Sequence, residues 1–129
     1  GPGFCRCDVA TRRLPEGGEF PLAWAAADEG ARAGILVAVG TLLRDLRSAG
    51  AQHADLNAKN VYLARDAGRW HAWVLDVDRV RFGAPDDTEV GEQNLARLDR
   101  SIRKLRERTA LPVDEAMLAR LGQLAQEHA

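Results

Sequence analysis

Asp55 and Asn60 stand five residues apart in the polar stretch His53-Ala54-Asp55-Leu56-Asn57-Ala58-Lys59-Asn60, and Asp76 and Asp78 follow an apolar segment downstream. Transfer of a phosphoryl group from a nucleotide to a hydroxyl needs residues of these types. One carboxylate must orient the attacking hydroxyl and accept its proton, while hard oxygen ligands hold Mg²⁺ against the phosphates. Taken singly, each has an ordinary alternative: Asp55 and Asn60 as turn residues, His53 as a structural histidine. A metal-dependent hydrolase built on His53, Asp55, Asp76 and Asp78 has suitable ligand types but needs a further His or carboxylate cluster. His71, in the middle of the apolar segment, is poorly placed to supply it.

The elements that must position these residues can be read from periodicity and punctuation. Phe4 to Thr11 is β-compatible, and Leu14-Pro15-Glu16-Gly17-Gly18 reads as a loop. Leu22 to Ala27 makes a helical turn or two. Asp28 to Ser48 forms a long helix with Ile35, Val39, Leu42, Leu43 and Leu46 at helical spacing and Gly50 as its stop. Val61 to Leu63 and Trp70 to Val77 are strands joined by a turn at Asp66 to Arg69, so the second strand runs straight into the aspartates. Phe82 to Asp87 is a loop, Glu92 to Arg108 a helix, Thr109 to Pro112 a break, and Val113 to Glu127 a last helix. The expected fold is mostly α with a small β-hairpin, an α+β domain.

Composition sets outer limits. The chain has 129 residues, 46% hydrophobic and 29% charged, which suits one soluble domain. A formal net charge of -1 speaks against a general nucleic-acid binder. Cys5 and Cys7 are the only cysteines; they make neither a disulfide framework nor a complete metal site, and a reducing compartment is the default. Gly1-Pro2-Gly3 reads as a scar of tag removal, leaving 4–129 as the domain.

In kinases the hydroxyl-orienting carboxylate and an Asn metal ligand lie five residues apart on one loop, and a second Asp comes from the end of the next hairpin. Asp55, Asn60 and Asp76 have that spacing and order. The finer pattern, HADLNAKNVYL, then VLDVD, then NLARLDRSIRK from Asn94, resembles the bacterial lipopolysaccharide core kinases, in particular the 3-deoxy-D-manno-octulosonic acid (Kdo) kinases of the protein-kinase-like superfamily. The resemblance spans most of Cys7 to Arg106. It implies ATP and Mg²⁺ as cofactors, with Asp55 as catalytic base, His53 bracing the loop, Asn60 and Asp76 as metal ligands, and Asp78 as an additional or outer metal carboxylate. It further implies an anionic, lipid-linked sugar as substrate, with no nucleic acid involved. The location would be cytoplasmic, with peripheral contact to the inner membrane. Ala54 replaces the Arg of ordinary protein kinases, Asn57 their frequent Lys, and Asp78 their Gly. These departures favour a sugar or other small-molecule kinase, with Asn57 facing the acceptor.

Arg97, Arg100, Arg103 and Lys104 recur at three- and four-residue spacing on the helix beginning near Glu92, with Arg106 and Arg108 extending the basic run. They could be a solvated face with partners such as Asp99, or a stripe that meets anionic sugar or lipid phosphates. Leu95, Leu98, Ile102 and Leu105 form the core-facing stripe. Lys59 and Lys104 are the only lysines, so no strand-borne Lys precedes Asp55, and Gly17-Gly18 lacks the pattern of a phosphate loop. The expectation is a kinase-like C-terminal lobe without its N-terminal lobe. Alone, such a lobe should bind ATP weakly and be inactive, and its uncovered apolar surface should favour self-association. The competing expectations are a non-catalytic kinase-like binding module and an aminoglycoside-type kinase.

Overall fold

The computed structural model describes residues 16–127. Strand β1, Gly17–Glu19, leads directly into helix α1, Phe20–Ala26. Pro21 occupies the first turn of α1, where a missing N–H removes no helical hydrogen bond. Phe20 and Trp24, one turn apart, are buried and stacked with ring centroids 5.4 Å apart. The Trp24 indole Nε1 donates to the Pro112 carbonyl at 2.9 Å, tying α1 to the far end of the chain.

Helix α2, Glu29–Ser48, follows the predicted periodicity closely. Asp28 is its N-cap, its carboxylate accepting the Ala31 N–H at 2.8 Å. Ile35, Val39, Leu42, Leu43 and Leu46 are all buried, and Gly50 adopts a φ of 69° just beyond the helix end. Strands β2, Ala51–His53, β3, Val61–Asp66, and β4, Arg69–Val74, come next. The predicted hairpin is β3–β4, antiparallel with Val61 opposite Val74, and Ala67 and Gly68 turn it with positive φ. Strand β5, Val80–Phe82, pairs antiparallel with β2, placing Val80 opposite His53. Helix α3, Thr88–Thr109, and helix α4, Glu115–Gln126, complete the chain. The central α2 packs against β4, α3 and α4, and one apolar core joins all of them.

Several boundaries differ from the sequence expectation, each for a local reason. Gly17 and Gly18 are not loop: β1 pairs with the free edge of β3, and Gly17 comes so close that a Cβ would lie 2.1 Å from the Leu63 carbonyl oxygen. The strand entering the aspartates stops at Val74 rather than Val77, because Asp76 is left-handed and Val77–Arg79 is a 3₁₀ turn. Phe82 belongs to β5, not to a loop. Helix α3 starts at Thr88 rather than Glu92, since Asp87 caps it by accepting the Glu89 N–H at 2.9 Å. Helix α4 starts at Glu115 rather than Val113; Asp114 caps it, and Val113 is buried in the core. The expected strand Phe4 to Thr11 lies outside the described residues.

Helices α2 and α4 meet closely at Gly40, where a Cβ would come 2.6 Å from the Leu124 Cβ and 3.3 Å from its carbonyl carbon. Gly40→Ala should therefore destabilise by about 1–3 kcal/mol despite a helix-propensity gain of about 1 kcal/mol. Urea denaturation checks this, and a more stable variant would contradict the close helix contact.

Candidate active site

The loop between β2 and β3 carries Asp55, Asn57 and Asn60, and its shape is made by side chains bonding to backbone. Asn57 caps the short 3₁₀ helix Ala58–Asn60, its Oδ1 accepting the Lys59 N–H at 2.9 Å while its Nδ2 donates to the Asp55 carbonyl at 3.2 Å. Asn60 Nδ2 donates to the same carbonyl at 2.8 Å. Both amides thus hold the Asp55 peptide, and the Asn60 amide oxygen remains as an acceptor. Leu56, between them, is buried and anchors the loop to the core.

His53 is fully buried and makes three hydrogen bonds. Its Nδ1 accepts the Asp55 N–H at 3.1 Å and its Nε2 faces the Leu75 carbonyl at 3.1 Å, which together fix the neutral Nε2–H tautomer. Its own N–H donates to Asn94 Oδ1 at 3.1 Å. The Leu75 N–H in turn donates to the Asn60 carbonyl at 2.7 Å. Leu75 is therefore clamped on one side by His53 and on the other by Asn60, and the next residue is Asp76. In this way three segments that are separate in sequence converge: the loop of Asp55, the turn of Asn60, and the end of the hairpin.

Asp76 has φ 61° and ψ 54°, a left-handed conformation that costs a non-glycine residue on the order of 1 kcal/mol. Strain of this kind persists where surrounding bonds over-determine the backbone, and here the Leu75 clamp does so. Asp78 lies two residues on, exposed in the 3₁₀ turn, and the Arg79 carbonyl accepts the Ala54 N–H at 3.0 Å. The donor set of Asn60 amide oxygen and Asp76 carboxylate is hard and oxygen-only, which suits Mg²⁺ shared with phosphates and water. The four-ligand hydrolase arrangement is not formed. His53 uses both ring nitrogens on backbone groups, and no three His, Cys, Asp or Glu side chains among the described residues come together to hold a metal.

Asp55 opens onto a cavity of about 390 Å³ between the loop and α3. Its charged lining is Asp55, Lys59, Arg97, Arg100, Lys104 and Arg108, five cations against one carboxylate, with Asn57 also on the wall. Arg97, Arg100 and Lys104 thus meet at the cavity as their spacing suggests. Arg103 does not: it points to the other flank of α3, bonded to Asp99 at 2.7 Å and to Glu115 at 2.9 Å. Hydrogen bonds from Arg103, and then Arg106, hold the Glu115 carboxyl below the usual carboxylate range. Arg103 and Arg106 are thus held by acidic partners away from the cavity, while Lys59 and Arg108 line it with Arg97, Arg100 and Lys104.

The geometry adds two residues to those singled out by sequence. Asn94 is fully buried on α3 and donates from Nδ2 to the Ala51 carbonyl at 2.9 Å while accepting the His53 N–H. Ser101, two turns along, accepts the Ala58 N–H at 2.9 Å. Helix α3 therefore grips the loop at both ends. The available signal was two polar residues within the core-facing stripe of Leu95, Leu98, Ile102 and Leu105.

Comparison with known proteins bears on what such a site belongs to. Residues 18–121 match the lipopolysaccharide kinase (Kdo/WaaP) family. The chain belongs to that family. It is 47% identical over 77 residues to a 3-deoxy-D-manno-octulosonic acid kinase of Xanthomonas campestris pv. campestris (strain B100), covering 59% of this chain and 29% of that protein. A kinase of the same name from Xanthomonas euvesicatoria pv. vesicatoria (strain 85-10) is 43% identical over 91 residues, 68% of this chain and 35% of that protein. Among lipopolysaccharide kinases of solved structure, WaaP in complex with acyl carrier protein shares the fold. The TM-score is 0.70 at 16% identity, over 91% of this chain and 50% of that one. The chain thus matches about a third of its curated Kdo/WaaP relatives' length.

Asn94→Ala should leave the His53 N–H and the Ala51 carbonyl buried without partners, at a cost of about 2–4 kcal/mol. Chemical denaturation measures this, and a loss below about 0.5 kcal/mol would show that the loop does not depend on α3.

Proposed function

We propose that this chain carries the catalytic loop of an ATP-dependent kinase that phosphorylates Kdo or a neighbouring sugar of the lipopolysaccharide inner core. The described fold is read as the C-terminal lobe of that enzyme. The observation that carries the reading is the hydrogen-bonded coupling of the Asp55 loop, Asn60 and the backbone leading into Asp76 through the Leu75 clamp, with Asp55 on the wall of a cationic cavity.

Mg-ATP supplies the transferable phosphoryl group and the neutralising charge. Asp55, held by its backbone on both sides, orients the acceptor hydroxyl and takes its proton. Asn60 and Asp76 would hold Mg²⁺, with Asp78 as an outer carboxylate. His53 is a positioning residue that acts through the peptides of Asp55 and Leu75. Asn57, Arg97, Arg100 and Lys104 face the acceptor, whose negative charge the five cations attract. Arg103, paired to two acids, has no part in this reading. Access to a lipid-linked acceptor would come through peripheral contact at the cytoplasmic face of the inner membrane; among the described residues no helix is long and apolar enough to cross a membrane.

The test is transfer from labelled ATP to core-sugar acceptors by the full-length protein that contains this chain. Asp55→Asn should reduce transfer by about 10²- to 10⁴-fold with an unchanged fold. Undiminished transfer by that variant would contradict the assignment of Asp55.

A further inference from the structure

Arg97 differs from every other cation around the cavity. Its Nη1 is shut off from solvent and has no hydrogen-bond partner among the described residues, while the side chain as a whole is half-buried. A buried N–H of a charged group is normally paired, because leaving it unsatisfied costs more than an ordinary lost hydrogen bond. Arg103, six residues further along the same helix, has two carboxylate partners, so α3 is not short of acids that could have paired Arg97. Arg100, Lys104 and Arg108 are exposed and form the outer rim. Arg97 and Asp55 line the same 390 Å³ cavity.

We propose that Arg97 is the specificity-determining residue of this site: it takes an oxyanion of the acceptor, carboxylate or phosphate, and so fixes which hydroxyl reaches Asp55. This rests on reading Asp55 as the hydroxyl-orienting carboxylate. A planar guanidinium with an unused N–H edge matches an oxyanion in a way that a mobile surface lysine does not. The rim cations attract the acceptor from a distance and are screened by salt; Arg97, half-buried in the cavity wall, reads its identity at close range. An acceptor without an anion near the reacting hydroxyl would leave the guanidinium unsatisfied and be rejected.

Two consequences can be measured together. Since Arg97 makes no hydrogen bond that supports the fold, Arg97→Met should keep or raise the thermal midpoint. A marked drop would identify it as structural and overturn the proposal. Binding to this chain is then measured by calorimetry or NMR with free Kdo, its methyl ester and inorganic phosphate at fixed ionic strength. Wild-type chain should favour Kdo over its ester about 10- to 100-fold, the worth of one hydrogen bond to a charged group. Arg97→Gln should bring that ratio to about one, and Arg97→Lys should restore part of it, whereas Lys104→Gln should lower acid affinity only a few-fold, keep most of the ratio and reduce the salt dependence. Equal binding of acid and ester, with phosphate binding that depends on Arg97, assigns the oxyanion to a phosphate. Discrimination that survives Arg97→Gln, or anion binding by neither probe, overturns the proposal. Arg97-dependent discrimination without phosphate transfer by the full-length protein would refute the kinase reading and leave the anion site standing. Transfer to acid and neutral acceptors alike would do the reverse.

Discussion

The site depends on one buried imidazole. His53 ends a three-residue strand that could not hold its position by ladder bonds alone, and it connects two backbone groups that are distant in sequence, the Asp55 N–H and the Leu75 carbonyl. Both bonds require the same neutral tautomer. If either is lost, the peptide before Asp76 is held from one side only, and the left-handed conformation of Asp76 loses part of what enforces it. The aspartates can therefore remain exposed and without ion-pair partners among the described residues, while the backbone of Asp55 and Leu75 is held on both sides. Burial lies in His53 and Asn94; the carboxylates of Asp55, Asp76 and Asp78 lie at the surface.

Helix α3 serves three environments at once. Its inner face buries Leu98 and Ile102 and presents Asn94 and Ser101 to the loop. A second face presents Arg97, Arg100, Lys104 and Arg108 to the cavity. A third places Arg103 and Arg106 against Glu115, where the hydrogen bonds hold that carboxyl below the usual carboxylate range. A helix turns through 100° per residue, so neighbouring arginines in a basic run can have unrelated roles. The location of the cation excess at Asp55, within a chain of net charge -1, comes from this partition rather than from composition.

Much of this was legible in the sequence. Long-period features came through well: the apolar stripe of α2 and the β3–β4 hairpin both rest on periodicity with a physical reason. Short elements were not legible. Strands β1, β2 and β5 have three residues each and exist only because a partner edge is nearby, which no local pattern records. The sequence puts Arg103 on one face with Arg97, Arg100 and Lys104, because spacing of three and four residues does not fix where one face ends and the next begins. Asn94 was visible only as part of a motif; its work, satisfying the backbone of β2, depends on a contact 41 residues away in sequence. The unpartnered state of Arg97 is a property of packing alone.

The central claim is that His53, fixed as a single neutral tautomer, couples the Asp55 loop to the Asp76 hairpin end. The most direct measurement is the ¹⁵N NMR spectrum of the His53 ring near neutral pH. The bonds described here require a proton on Nε2, none on Nδ1, and slow exchange with solvent. A ring protonated on Nδ1, or one averaging between tautomers, would contradict the coupling and with it the positioning assigned to this residue.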